Sequence, residues 1–156
     1  MSKLQILDKA PDFSALDSYG NQVSLKDFAG KFVVIYFYPK DDTPGCTVEA
    51  NDFKDNYKNF VDLNTVIIGV SKDSCKSHVK FTEKYELPFI LLSDEDLQIC
   101  KDYKIWVEKS MYGKKYMGIE RSTFLIDPQG VVKKSWHKVK VKNHVNEVLQ
   151  VVKDAS

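Results

Sequence analysis

The sequence predicts a mixed β-sheet covered by helices on both faces, and three observations carry that α/β reading. Phe32 to Tyr38 and Val66 to Ser71 are uncharged runs rich in β-branched and aromatic residues, as expected of central strands buried on both sides. Each is followed by a stretch with apolar residues at helical spacing, and strand-helix-strand-helix order implies parallel pairing. Ser122 to Asp127 and Val131 to Trp136 flank Pro128-Gln129-Gly130 and read as an antiparallel hairpin, which makes the sheet mixed.

The other elements follow in chain order. Phe13 to Leu16 and Gln22 to Leu25, separated by Asp17-Ser18-Tyr19-Gly20-Asn21, predict a small N-terminal β-hairpin. Ser24 to Gly30 reads as a short helical turn closed by glycine. After the first central strand, Pro39 ends the pairing because it has no N–H for the ladder, and Lys40 to Gly45 is a turn by composition. Val48, Phe53, Tyr57, Phe60 and Val61 then recur at helical spacing, predicting one amphipathic helix from about Pro44 to about Phe60. A helix is expected over Ser74 to Tyr85, an extended run over Leu87 to Leu92, a short helix over Asp94 to Tyr103, and a closing helix over Lys142 to Asp154.

At 156 residues, with 43% hydrophobic and 29% charged residues, the chain is read as a single globular domain, 1–156. No basic segment leads into an apolar run with a small-residue cleavage site, and no apolar stretch approaches the ~18 residues of a membrane span. The expectation is a cytoplasmic protein without a membrane partner. Net charge is only +1, but residues 1–100 carry 11 basic and 16 acidic side chains, whereas 101–156 carry 12 and 6. The basic excess lies mainly in Lys133 to Lys142, where Lys138, Lys140 and Lys142 alternate with Val139 and Val141. That pattern describes one solvated face of an extended segment rather than a nucleic-acid surface.

Three cysteines, spaced 29 and 25 apart, do not make a secreted disulfide framework, so reactive-thiol chemistry is the better expectation. Cys75-x-x-His78 has half of a metal-site spacing; Cys100, His137 and His144 supply no second half. No metal and no cofactor is expected, and His78 is read as lying on a helix surface. Tyr36, Tyr38, Trp106 and Trp136 fit core and rim packing better than base stacking. There is no glycine-rich phosphate loop and no pair of acid/base carboxylates.

The chain is organised around Phe32 to Asn51, a strand that runs through a polar turn and delivers Cys46 into the first turn of a helix. Unpaired N–H groups and the positive end of the helix dipole favour thiolate over thiol there, and the thiolate is the nucleophile. Thr43, three residues earlier, can place a hydroxyl near the sulfur; its ordinary role would be a helix N-cap. Arg121 is the single arginine among 22 lysines and immediately precedes a strand, which suggests a position that needs a planar guanidinium. Glu49 follows Cys46 by one helical turn and either orients that guanidinium or lies on solvated helix surface.

Pro39, Thr43 and Cys46 spell Pro-x-x-x-Thr-x-x-Cys, and the string YFYPKDDTPGCT resembles the bacterioferritin comigratory protein, or peroxiredoxin Q, branch of the peroxiredoxins. APDFSALDSYGNQVSL, GVSKDSCKSHVKFTEKYELPFILLSD and RSTFLIDPQGVV are similar to that branch too. The resemblance implies a thioredoxin-like fold and a thiol-dependent peroxidase acting on hydrogen peroxide and alkyl hydroperoxides. It implies a catalytic set of Cys46, Thr43, Arg121 and Pro39, a monomer, and thioredoxin as reductant. Many relatives carry a resolving cysteine five residues after the peroxidatic one, where this chain has Asn51. Resolution by Cys75 after local unwinding is one route; a one-cysteine cycle using an external thiol, with glutaredoxin or glutathione as alternatives to thioredoxin, is the other. Cys100 is expected to face the core.

Two rival readings make distinct demands. A thiol-disulfide oxidoreductase would want Cys-x-x-Cys, and Cys46 is followed by Thr47-Val48-Glu49. A non-enzymatic binding protein on the same fold would not require Pro39, Thr43, Cys46 and Arg121 together.

Overall fold

In the computed structural model, which describes residues 3–156, the expected N-terminal antiparallel hairpin opens the chain, β1 (Ser14–Asp17) against β2 (Gln22–Ser24), each within a residue of the bounds expected from the runs flanking the Asp17 to Asn21 turn. A 3-10 turn (Leu25–Phe28) leads into β3 (Phe32–Phe37), then α1 (Pro44–Asp55) and α2 (Tyr57–Asp62). β4 (Thr65–Ser71), α3 (Cys75–Tyr85), β5 (Ile90–Ser93) and α4 (Gln98–Asp102) follow. β6 (Trp106–Met111), β7 (Lys114–Ile119), β8 (Ser122–Ile126), β9 (Val132–Trp136) and α5 (His144–Ala155) complete the order.

Seven strands form one sheet in the order β2-β1-β5-β4-β3-β8-β9. β3, β4 and β5 run parallel, as their helical crossovers require, while β8 pairs antiparallel with β3 and β1 antiparallel with β5. β3 is central and its side chains alternate between two cores. Val33, Ile35 and Phe37 pack with Phe13, Ile99, Tyr103 and Phe124 on one face; Val34, Tyr36 and Tyr38 pack with Phe53, Phe81, Val148 and Leu149 on the other. The second face carries α1, α2, α3 and α5, whereas the first is covered by the N-terminal segment and α4. Helices flank both faces, but unequally.

Four expectations need correction. The helix predicted over Pro44 to Phe60 is two helices, because Asn56 (φ −104°, ψ 7°) donates both its backbone N–H (3.2 Å) and its side-chain amide (2.9 Å) to the Asp52 carbonyl. A side chain that competes for a helical carbonyl interrupts the ladder. The extended run from Leu87 pairs only from Ile90, since Pro88 cannot donate. The helix expected over Asp94 to Tyr103 is helical only from Gln98, because Leu97 (φ 63°) is left-handed and the Asp94 carboxylate accepts from the Ile99 (3.1 Å) and Cys100 (2.8 Å) N–H groups. The fourth is an omission. β6 and β7 form a separate two-stranded ribbon turning at Tyr112-Gly113, both at positive φ. Tyr-Gly lacks the asparagine or aspartate that advertises such a turn.

Lys138, Lys140 and Lys142 are exposed and Val139 and Val141 half-buried, so the alternation read from the sequence holds outside any strand.

Candidate active site

The site forms where β3 ends. Tyr38 N–H still donates to the Val70 carbonyl (3.1 Å), and then half-buried Pro39 and exposed Lys40 lead to Asp41 and Asp42. Asp42 takes a left-handed conformation (φ 56°) that turns the chain back, and Thr43 is extended (φ −95°, ψ 157°) as the residue preceding α1. Pro44 opens the helix at a position where no N–H is needed. The Thr43 hydroxyl donates to the Lys40 carbonyl (2.9 Å), so Thr43 occupies the N-cap place without a side-chain capping bond. Its oxygen keeps lone pairs free to accept.

Cys46 is the third residue of α1 and only 1% exposed. Arg121 reaches it from across the sheet. β8 pairs with β3 in the register Phe37↔Ser122, so the residue before Ser122 lies beside the end of β3 where the Cys46 loop begins. Arg121 Nη2 donates to Cys46 Sγ at 3.3 Å and Nη1 donates to Glu49 Oε1 at 2.8 Å. One planar fork therefore holds a thiol and a carboxylate a helical turn apart. Gly45 makes room for it, since a Cβ there would sit 3.1 Å from Nη2.

Glu49 is fully buried and its Oε2 has no partner among the described residues. Burial pushes its carboxyl up to about 7, against the pull of Arg121 toward the charged form. Burial also opposes the Arg121 charge, but Glu49 and Cys46 outweigh it, and the guanidinium is held more firmly protonated than usual. Tyr36, beneath the site, is driven well above the ordinary phenol range by burial and then by Glu49 and Cys46. Lys109 of β6 was not singled out in the sequence, because the β6–β7 ribbon was not legible. Burial and Arg121 lower its pKa, while Glu120 and Cys46 raise it.

All three cysteines are free thiols. Cys75 is the first residue of α3 and half-buried, behind the cap that Ser74 makes to Ser77 N–H (3.1 Å). Cys100 is fully buried on the opposite sheet face from Cys46, as expected, and burial followed by Asp94 pushes its thiol far up.

The reading of His78 as a surface residue is wrong. It is fully buried, with Nδ1 2.7 Å from Asp41 Oδ2 and Nε2 3.0 Å from the Leu92 carbonyl. The apolar residues around it placed α3 correctly, but the acid that draws this imidazole inward is 37 positions away. Donor atoms of Asp41, Asp73 and His78 lie within 4.8 Å of one another, and each is already hydrogen-bonded to protein groups. His137 pairs with Glu120 (2.9 Å) and His144 with Thr123 (2.8 Å), so the histidines are distributed among separate partners.

The mixed sheet thus places a buried cysteine at a strand-to-helix junction, facing an arginine held by a buried carboxylate. Comparison with known proteins identifies the class of cysteine-dependent peroxidases of thioredoxin-like fold. Residues 6–135 match the AhpC/TSA family. The chain is 53% identical over 153 residues to peroxiredoxin Bcp of Bacillus subtilis, covering 98% of each. A cysteine-to-serine variant of Xylella fastidiosa PrxQ superposes with a TM-score of 0.94 at 38% identity, covering 99% of each chain. The bacterioferritin comigratory protein of Xanthomonas campestris, studied for alkyl peroxide reduction in a trapped intermediate/ligand complex, has a TM-score of 0.90 at 44% identity over 97% of each.

The chain belongs to the AhpC/TSA family, in its peroxiredoxin Bcp, or peroxiredoxin Q, branch. It is a thiol peroxidase that takes peroxide substrates and a thiol reductant. No helix among the described residues is long and apolar enough to cross a membrane.

Proposed function

We propose that Cys46 is the peroxidatic cysteine and that it reduces hydrogen peroxide and alkyl hydroperoxides. The observation that carries this reading is the 3.3 Å approach of Arg121 Nη2 to Cys46 Sγ, with Nη1 anchored on Glu49. The thiolate attacks the terminal peroxide oxygen, an S–O bond forms as the O–O bond breaks, and the leaving oxygen departs as water or alcohol after taking a proton. Sulfur is oxidised to sulfenic acid and the peroxide is reduced.

Each residue has a role in that step. Arg121 stabilises charge as it moves from sulfur to the departing oxygen, and Glu49 keeps the guanidinium aimed. Thr43, already donating to the Lys40 carbonyl, accepts from the peroxide hydroxyl and orients it. Pro39, half-buried at the end of β3, shields the sulfur from water. The proposed working unit is a monomer of one thioredoxin-like domain, 1–156, as the resemblance implies.

We assign resolution to an external thiol. It attacks the sulfenic sulfur, forming a mixed disulfide and releasing water, and thioredoxin, or alternatively glutaredoxin or glutathione, completes the reduction. Cys75 is the internal alternative, favoured by being a half-exposed free thiol at a helix start. Three unpaired thiols fit a reducing compartment, and the cytoplasm is the proposed location.

The test is intact mass after one equivalent of hydrogen peroxide with dimedone, for wild type, Cys46→Ser and Cys75→Ser. A dimedone adduct on Cys46, unchanged by Cys75→Ser, is the expected result. The mass loss of a disulfide, abolished by either substitution, replaces the external thiol with Cys75. Absence of any Cys46-dependent oxidation overturns the peroxidase assignment of this site.

A further inference from the structure

Arg121 faces two acids with one charge. Nη1 is bonded to the Glu49 carboxylate and Nη2 to the Cys46 sulfur, so when both acids are ionised the buried site carries one negative charge more than the guanidinium offsets. A buried charge without a counter-charge is costly. A second cation is therefore to be sought among the groups around the pair.

Most of those groups are neutral, acidic or already engaged. Tyr36, beneath the site on β3, is held well above the ordinary phenol range by burial and then by Glu49, and stays a neutral phenol. His144 of α5 is lowered to about 4 by burial and then by Arg121, so it is neutral as well. Asp52, one turn after Glu49 on α1, adds negative charge rather than positive. Asp41, in the loop before α1, accepts from the Tyr38 and Ser77 hydroxyls. Glu120, next to Arg121, is occupied by His137 (2.9 Å) and Ser122 (2.8 Å).

Lys109 remains. On β6 it alternates with exposed Glu108 and Ser110 and shares the half-buried face of the ribbon with Val107. Val107 pairs with Gly118 and Lys109 with Tyr116, so Gly118 is the diagonal neighbour of the lysine. A Cβ there would lie 3.1 Å from Lys109 Cδ and 3.4 Å from Cε, so the glycine leaves a bed for the lysine stem across the ribbon. Burial and Arg121 work against the ammonium, whereas Glu120 and Cys46 favour it, and no acceptor among the described residues is hydrogen-bonded to it. We propose that Lys109 is a positioning residue of the thiol site: its ammonium supplies the second positive charge, so that Cys46 ionises while Arg121 stays held by Glu49. This rests on the reading of Cys46 as the peroxidatic cysteine.

A charge series at this one position tests the assignment. The ultraviolet absorbance of the Cys46 thiolate, taken as the difference between each protein and its Cys46→Ser counterpart, is followed against pH for wild type, Lys109→Arg, Lys109→Met and Lys109→Glu. One unit charge acting through partly screened protein changes an ionisation ratio about fivefold. On the rising part of the profile Lys109→Met therefore lowers the thiolate-to-thiol ratio about fivefold, Lys109→Glu lowers it about twenty-fivefold, and Lys109→Arg restores it. The second-order rate constant with hydrogen peroxide at neutral pH falls in the same order. A merely structural role would not grade with charge. Should Lys109→Met fail to fold, Lys109→Arg and Lys109→Glu decide the matter. A profile unmoved by Lys109→Glu, or moved as far by Lys109→Arg, overturns the charge assignment. Because the absorbance is read without peroxide, failure of wild-type Cys46 to be oxidised is a separate result, which overturns the peroxidatic reading and with it the place of Lys109 in the reaction.

Discussion

Arg121 and Cys46 lie 75 positions apart and meet at 3.3 Å, because the antiparallel pairing of β8 with β3 brings the start of one strand beside the end of the other. The guanidinium serves Glu49 and Cys46 at once, so its shape matters as well as its charge.

Arg121→Lys keeps the charge and loses the fork. A single ammonium cannot hold Glu49 and aim at the sulfur in the same geometry, and the second-order rate constant with hydrogen peroxide should fall by about a hundredfold. Stopped-flow oxidation of the reduced enzyme measures it. A variant within a few-fold of wild type would show that charge alone suffices.

Glu49 and His144 predict opposing pH dependences of stability. Burial raises Glu49 from 4.5 to about 7 in the fold, so its contribution is fully present below 4.5 and is lost as pH rises toward 7. Burial and Arg121 lower His144 from 6.5 to about 4, so its contribution is present above 6.5 and is lost as pH falls toward 4. Between pH 4.5 and 6.5 the two slopes oppose each other. In urea titrations Glu49→Gln should make stability rise with pH across that window, and His144→Gln should make it fall. The Glu49 effect is on the order of 3 kcal/mol. Parallel slopes in the two variants would contradict the burial argument.

Gly69 in β4 is a packing requirement. A Cβ there would meet Leu91 Cδ2 at 2.8 Å and Tyr36 Cζ at 2.9 Å, both in the core beneath the site. Gly69→Ala should cost about 1–3 kcal/mol, seen as a lower urea midpoint with an unchanged slope. A neutral result would mean that the Tyr36 ring yields easily.

Cys100 should be chemically silent. It is fully buried and burial disfavours its thiolate, so iodoacetamide under native conditions should label Cys75 and leave Cys100 unmodified. Cys100→Ala should leave peroxide turnover unchanged and cost on the order of 1 kcal/mol. Loss of turnover with the fold intact would give Cys100 a role that its place in the opposite core does not suggest.

The parts of the fold that were legible are those whose pattern is local. β3 and β4 read as uncharged β-branched runs, α3 and α5 as apolar residues at helical spacing, and β8–β9 as two strands around Pro128-Gln129-Gly130. The elements that escaped depend on side chains acting out of pattern. Asn56 breaks a periodic helix by competing for a carbonyl, Asp94 organises a turn where helix was expected, and Tyr112-Gly113 closes a ribbon without the usual turn residues.

By itself the sequence determined the chemistry to be sought: a cysteine in a helix's first turn, a threonine three residues before it, and one arginine among lysines, on an α/β frame whose hydrophobic pattern selects buried strands. Only the tertiary structure decided how those groups meet, since strand register and not spacing brings Arg121 to Cys46. It also decided that Glu49 and His78 are buried. A buried ionisable group is held by partners distant in sequence, Arg121 for one and Asp41 for the other, and such partners become visible only when the chain has closed around them.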